Sequence, residues 1–185
     1  MYAMPYVLIA NNSQIDGHVY GGGYAADAPV GKGAFDTSTY VYLDSGTINK
    51  NVYGGGFGDT VLGSTNVWAG LPSGIKSSVI SIFGINDANS MFYNTPLSST
   101  SNQTTVHIKG TLFGGSETGA KDGSYDYTTE SVHKGISVYV EDFPNVCTVN
   151  IDGSIFGSGN YSSSGGYSDV FIKNWGTASN PKKIS

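Results

Sequence analysis

Ile15-Asp16-Gly17-His18-Val19-Tyr20-Gly21, Ile108-Lys109-Gly110-Thr111-Leu112-Phe113-Gly114 and Ile151-Asp152-Gly153-Ser154-Ile155-Phe156-Gly157 are one phrase written three times. Its register is apolar, charged, glycine, small polar, apolar, aromatic, glycine. A fourth copy starts at Leu43-Asp44-Ser45-Gly46-Thr47-Ile48 and reaches Val52-Tyr53-Gly54-Gly55-Gly56 after a short insertion. Weaker copies are Ile82-Phe83-Gly84-Ile85 and Ile172-Lys173-Asn174-Trp175-Gly176. Recurrence of one supersecondary unit is the mark of a solenoid. The anchors at 15, 43, 82, 108, 151 and 172 are unevenly spaced, which rules out a strict short repeat and suits coils carrying loops of different length. The expected fold is all-β: a single-stranded parallel β-helix (β-solenoid), right-handed, with irregular side loops. Six or seven coils are expected, forming one domain over residues 1–185.

Period-two alternation dominates the rest of the chain. Val41-Tyr42-Leu43, Val79-Ile80-Ser81-Ile82, Val106-His107-Ile108, Ile136–Val140, Val149-Asn150-Ile151 and Val170-Phe171-Ile172 each present one apolar face. Tyr6–Ala10 reads as a first strand. No sustained helical period occurs, so helix should be close to nil. The inward set is Ile15, Val19, Val41, Leu43, Ile48, Ile82, Val106, Ile108, Leu112, Val149, Ile151, Ile155, Val170 and Ile172. Polar stretches at 24–37, 58–78, 87–103, 119–134 and 158–167 read as side loops. The glycine runs at 21–23, 54–56, 114–115 and 157–159 read as corners that need positive φ and leave no room for a Cβ. None reads Gly-Lys-Ser/Thr, so a phosphate cradle is disfavoured.

Composition narrows the function. Charged residues make up 12% of the chain, against a norm near 25%. The net charge is −5, and all nine basic residues are lysine. Without arginine there is no bidentate fork for phosphate or guanine, so a nucleic-acid partner is not expected. No apolar run reaches the roughly 20 residues of a membrane span. The start, Met1–Ala10, lacks a basic region and makes a poor signal peptide. The lone Cys147 alternates with Val149 and Ile151 and should point inward as a small core hydrophobe.

Candidate chemistry is sparse. Asp16, Asp44, Phe83, Lys109, Asp152 and Lys173 follow the anchors and should form an outward column, with Lys109, Asp152 and Lys173 alternating in sign. The alternative makes Asp16, Asp44 and Asp152 a carboxylate row for glycoside cleavage or calcium. Glu141-Asp142 is the only acidic doublet and reads as a turn. Gly55–Asp59 comes closest to a calcium-binding nonapeptide, but occurs once. His18, His107 and His133 are scattered and should lie at the surface. No catalytic residue, metal ligand or cofactor is assigned. Tyr20, Tyr53, Phe113 and Phe156 each precede a glycine corner. They should stack as a ladder along the rod, or else offer a binding strip to sugar rings or protein partners.

Val52-Tyr53-Gly54-Gly55-Gly56 and the Thr-Val-x-Ile-x-Gly phrases at 105–110 and 148–153 resemble the glycine-rich β-helical repeats of very large bacterial surface proteins, especially those of gut-associated bacteria. The ending Val170–Ser185 also looks like a segment inside such a protein. The resemblance covers most of the chain and carries no catalytic residues. It implies an adhesin-like module, secreted or at the cell surface, and a fragment of a longer polypeptide. Two function classes follow. The favoured one is a non-catalytic stalk or binding module that contacts a glycan or a host or cell-surface protein. End-to-end self-association through the apolar N-terminal coil accompanies it, since Asn180-Pro181-Lys182-Lys183 protects the other end. The alternative is a carbohydrate-active β-helix enzyme, a polysaccharide lyase or glycoside hydrolase. Absence of arginine weighs against the lyases.

Overall fold

A computed structural model describes residues 5–23, 38–58, 61–70, 104–117, 130–132, 134–142, 147–173, 176–177 and 180–181. Among them every regular element is a strand. The first circuit of the chain comprises β1 (Tyr6–Ile9), β2 (Ser13–Ile15) and β3 (Val19–Tyr20). The second comprises β4 (Thr39–Leu43), β5 (Gly46–Ile48) and β6 (Val52–Tyr53). β7 (Thr65–Gly70), β8 (Thr104–Ile108) and β9 (Leu112–Phe113) make the third. After β10 (Glu130–Val132), β11 (Gly135–Glu141), β12 (Cys147–Ile151) and β13 (Ile155–Phe156) make the fourth. β14 (Ser163–Ser164) precedes β15 (Tyr167–Lys173), which opens a fifth.

Three sheets collect these strands. Sheet one runs β1-β4-β7-β11-β15, sheet two β2-β5-β8-β12 and sheet three β3-β6-β9-β13. All their pairings are parallel. β10 pairs with β14 in a small parallel sheet. β16 (Gly176–Thr177) and β17 (Asn180–Pro181) form an antiparallel pair. The fold is therefore all-β with parallel sheets, as the sequence predicts.

Within sheet one, Val7, Val41, Val67, Val138 and Val170 occupy one column, a valine on every strand. β-branched side chains fit such a stack because their fixed rotamers interdigitate between strands. Val41, Val67 and Val138 are fully buried. Sheet two contributes Ile15, Ile48, Ile108 and Ile151 in register, and sheet three Val19, Val52, Leu112 and Ile155. The interior is closed by paired hydroxyls: Thr39 Oγ1 donates to Gly54 O and Thr65 Oγ1 to Gly114 O, both at 2.6 Å.

The glycine corners work differently from expectation. Positive φ occurs at Gly46, Gly58 and Gly70 and at Asn11 and Asn12, not in the runs beginning at 21, 54, 114 and 157. Gly46 opens β5, where the chain passes from sheet one into sheet two, and Gly70 ends β7. The runs serve close approach instead. A Cβ on Gly21 or Gly54 would overlap the backbone oxygen of the glycine one circuit on, and would stand 2.9 Å from Cγ2 of Val41 or Val67 respectively. Gly114 and Gly157 press in the same way on Val138 and Val170, at 2.7 and 2.9 Å. Each corner thus nests against the valine column of the following circuit.

Several expectations need correcting. Residues 58–78 contain β7, a central strand of sheet one, whose Val67, Trp68 and Ala69 are buried. Val61 in the same stretch is buried and bridges to Val132. The stretches 119–134 and 158–167 contain β10 and β14. Leu43 and Ile172 are not equivalents of Ile15: both lie in the sheet-one column of Ile9, Ala69 and Val140. They therefore do not repeat the Ile15 phrase; among the described residues sheet one holds five strands. Of the inward set, Val19, Val41, Leu43, Ile48, Val106, Ile108, Leu112 and Val149 are buried, and Ile15, Ile151, Ile155 and Ile172 pack against them half-buried. Val170 keeps its column but is 40% exposed, because among the described residues no strand lies on its far side. Cys147 is buried in the core. Ile82 and Val79–Ile82 lie outside the described residues.

Candidate functional site

Sheet three has two-residue strands, so when Val19, Val52, Leu112 and Ile155 face inward the next side chain faces out. That places Tyr20, Tyr53, Phe113 and Phe156 in one file. Successive ring centroids stand 5.1, 4.9 and 5.3 Å apart, with interplanar angles of 6°, 3° and 13°. The arms that leave the glycine corners cross the edge of this file. Phe57 meets Tyr20 edge-on at 6.3 Å, the Tyr20 hydroxyl donates to the Glu117 carboxylate, and Tyr161 N donates to Glu117 O at 2.8 Å. As a result the middle rings are sealed: Tyr53 is 0% and Phe113 6% exposed. Burial pushes the Tyr53 phenol above its ordinary value, and hydrogen bonds with the Asn51 and Asn160 side chains partly oppose the shift. A ligand reaches only the ends, half-buried Tyr20 and Phe156, which is 46% exposed.

His18 belongs to this file, tilted against both Tyr20 and Tyr53 at 5.9 Å, with Nδ1 accepting from Asn51 N at 3.3 Å. Asn51 is the organiser beneath: its Nδ2 donates to Tyr53 Oη at 2.9 Å and its Oδ1 accepts from Thr111 N at 2.9 Å. Asn51 did not stand out in the sequence, and His18 was read only as a scattered surface histidine. The unbroken six-residue step from Ile to corner Gly would have shown that the two share one position, since 15 to 21, 48 to 54, 108 to 114 and 151 to 157 all match.

A second aromatic column on the outer face of sheet one went unread: Leu8, Tyr42, Trp68, Tyr139 and Phe171 share register. Tyr139 and Phe171 stack at 4.7 Å, while Tyr42 and Trp68 are buried. Tyr6 and Tyr40 stack at 5.4 Å one column away.

The acidic residues do not assemble as a row. Asp16, Asn49, Lys109 and Asp152 are the residues that follow the sheet-two isoleucines, and Asn49 Nδ2 donates to Asp16 Oδ1 at 2.7 Å. Asp16 and Asp152 are thus three strand spacings apart, about 14 Å. Paired glycosidase carboxylates need roughly 5–9.5 Å. Asp44 belongs elsewhere, at the corner after β4, and is 1% rather than outwardly exposed. There the Tyr42 hydroxyl donates to its Oδ1 at 3.4 Å, and the Cys147 thiol lies 3.9 Å from its carbonyl oxygen. Burial first, then the Asp44 charge, drives the Tyr42 phenol far above its usual range. Lys173 sits beside Glu141 on sheet one, not beside Asp152. Asp152 instead meets His107 Nε2 at 3.0 Å. Glu141 ends β11 and Asp142 follows it, both buried, with Asp142 Oδ1 accepting from Val149 N at 2.6 Å. Asp59 and His133 lie outside the described residues. Among the described residues no group of three or more His, Cys, Asp or Glu side chains is placed to hold a metal.

Comparison of the chain with protein-family models, with curated proteins and with solved structures finds no match.

Proposed function

We propose that this chain is one domain, a right-handed single-stranded parallel β-helix, acting as a non-catalytic module of a bacterial protein, secreted or held at the cell surface. It serves as a stalk or as a binding surface for a glycan or a host or cell-surface protein. The observation that carries this is the return of the chain to the same three parallel sheets in the same order, each corner glycine nesting on the valine of the next circuit. Such a scaffold spends its outward side chains on stacked columns. The aromatic file and the separated carboxylates both follow that pattern, and neither gathers an acid and a base around one substrate bond. Contact with a ligand falls to the accessible rings, Tyr20 and Phe156, with Tyr53 and Phe113 as their buried support. End-to-end self-association, with two copies meeting at their N-terminal circuits, is proposed to run through the side of β1 opposite β4, where no strand pairs among the described residues.

The test is a glycan array run beside a panel of pectin, alginate, chondroitin and mixed plant glycans assayed for degradation. Binding without turnover, weakened by Phe156→Ala, is expected. Turnover that Asp152→Ala abolishes would replace this function with the carbohydrate-active one.

A further inference from the structure

In a parallel pair of unshifted register, like side chains on neighbouring circuits are brought into contact, and sheet one does this to two phenols. Tyr6 of β1 lies opposite Tyr40 of β4. Both project from the outer face, since Val7 and Val41 beside them point into the core. Their ring centroids stand 5.4 Å apart at an interplanar angle of 29°, and both residues are half-buried. Tyr20 and Tyr53 make a comparable pair in sheet three, at 5.1 Å and 6°. Their surroundings separate the two pairs. Tyr53 is sealed from solvent, clamped on its far face by Phe113 at 3° and fixed at its hydroxyl by Asn51. On the far side of Tyr40 the register neighbour is Asn66, whose amide donates to Thr39 O at 3.2 Å, and the Trp68 ring is tilted at 5.9 Å. Tyr40 therefore keeps room to turn that Tyr53 lacks.

We propose that Tyr6 and Tyr40 are the site of an oxidative modification, a dityrosine cross-link that joins the first circuit to the second. The co-reactant is hydrogen peroxide, acting through a one-electron oxidant of the haem peroxidase class. Each phenol gives up one electron and its hydroxyl proton, and the two phenoxyl radicals join through ring carbons ortho to oxygen. Each of those carbons then loses its proton and each oxygen regains one, so both phenols are restored. In sum the pair loses two hydrogen atoms, and one peroxide takes up the two electrons and two protons as two molecules of water.

Parallel pairing suits this coupling. Equivalent positions carry their side chains in the same direction, so equivalent ring edges lie side by side rather than head to tail. The 29° tilt is part of the way from a flat stack, which brings no edges together, to the twisted biaryl of the product. Burial first, then the Tyr40 charge, hold the Tyr6 phenol above its ordinary value, so at neutral pH its proton leaves with the electron. The contact lies between two paired strands and is independent of what continues beyond β1 and of what the module binds.

The intact protein, kept dilute to suppress coupling between chains, is treated with a haem peroxidase and one equivalent of hydrogen peroxide. Dityrosine fluorescence should appear in a species of monomer mass less two hydrogens. Digestion should yield one dominant cross-linked product, the peptides carrying Tyr6 and Tyr40. Tyr40→Phe keeps a ring in the stack and should remove most of the fluorescence. Tyr161→Phe, which deletes a phenol that is 57% exposed, should leave it unchanged. In concentrated urea the preference for the pair should vanish. The link closes a loop of about 35 residues, so the urea midpoint of the product should rise by about 1–2 M. Absence of intrachain dityrosine, a dominant link between other tyrosines, or an undiminished yield with Tyr40→Phe overturns the proposal. So does a Tyr6–Tyr40 link that forms equally well in urea or leaves the midpoint unmoved, since the fold would then contribute nothing to it. Circular dichroism matched to the parent separates a lost partner from a lost fold, and Tyr6→Phe repeats the test from the other ring.

Discussion

Adding one methyl group at Gly54 tests what holds the circuits together. A Cβ there would overlap Gly114 O of the next circuit and stand 2.9 Å from Val67 Cγ2, where carbon–carbon contacts settle at about 3.5–4.0 Å. Both obstacles sit in a closed core, one of them backbone, so relief means lifting one circuit off another. Overpacking of this kind costs about 1–3 kcal/mol. Displacing Gly114 O also strains its bond from Thr65 Oγ1, and a buried hydroxyl left unpaired costs about 1–3 kcal/mol more. The unfolded chain gives back about 0.4–1 kcal/mol, because alanine is stiffer than glycine. Gly54→Ala should therefore destabilise by about 1–5 kcal/mol. With a slope of about 2 kcal/mol/M, the urea midpoint should fall by about 0.5–2.5 M. The internal control is Gly17→Ala, where the added carbon meets nothing within 4 Å; it should be neutral or slightly stabilising. Equal midpoints for Gly54→Ala and the parent protein, or an equal loss at Gly17, would refute the nesting of corner on valine.

Ile108→Ala should cost about 2–5 kcal/mol in the same assay, and Ile151→Ala clearly less because Ile151 is only half-buried; equal losses would contradict the placement of the core. Thr39→Val should cost about 1–2 kcal/mol by removing the hydroxyl bonded to Gly54 O, while Thr39→Ser should recover most of it; a silent Thr39→Val would mean the bond contributes nothing. Alkaline pH should destabilise. The Tyr42 and Tyr53 phenols are raised above 10.0 in the folded chain, so their contribution is complete below pH 10.0 and is lost above it, as the unfolded chain ionises first. Tyr42→Phe should flatten that decline, and a decline unchanged in this variant would point to other groups.

Sheets two and three were legible because a fixed turn joins them: isoleucine, three turn residues, apolar, aromatic, glycine. The second circuit hid behind Asn49-Lys50-Asn51, which replaces the glycine of the turn, and the reading slipped by five residues to Leu43. That slip turned Asp44 outward when it is buried. Sheet one was harder, since stretches of different length separate its strands from the neighbouring sheets and no spacing recurs. β7 was lost because its outward position holds Trp68, an apolar residue that blurs the alternation. The aromatic file was foreseen as a file, but its burial depends on Phe57, Glu117 and Asn160, which reach it from corners whose path the sequence does not announce. The corner glycines were singled out correctly as structural, with half of the physical reason.

The glycine–valine nesting has a direction. Each pair joins the end of one circuit to the start of the next, at 21 and 41, 54 and 67, 114 and 138, and 157 and 170. These partners lie 13 to 24 residues apart whatever is inserted inside a circuit, even the long passage between β7 and β8. A finished circuit therefore presents a ready groove to residues synthesised immediately after it. Growth can run from the N-terminus onward, one short loop closure at a time, and lengthening such a chain adds steps without lengthening any one of them. Extension by further circuits is then kinetically undemanding, and each new rung inherits its register from the last.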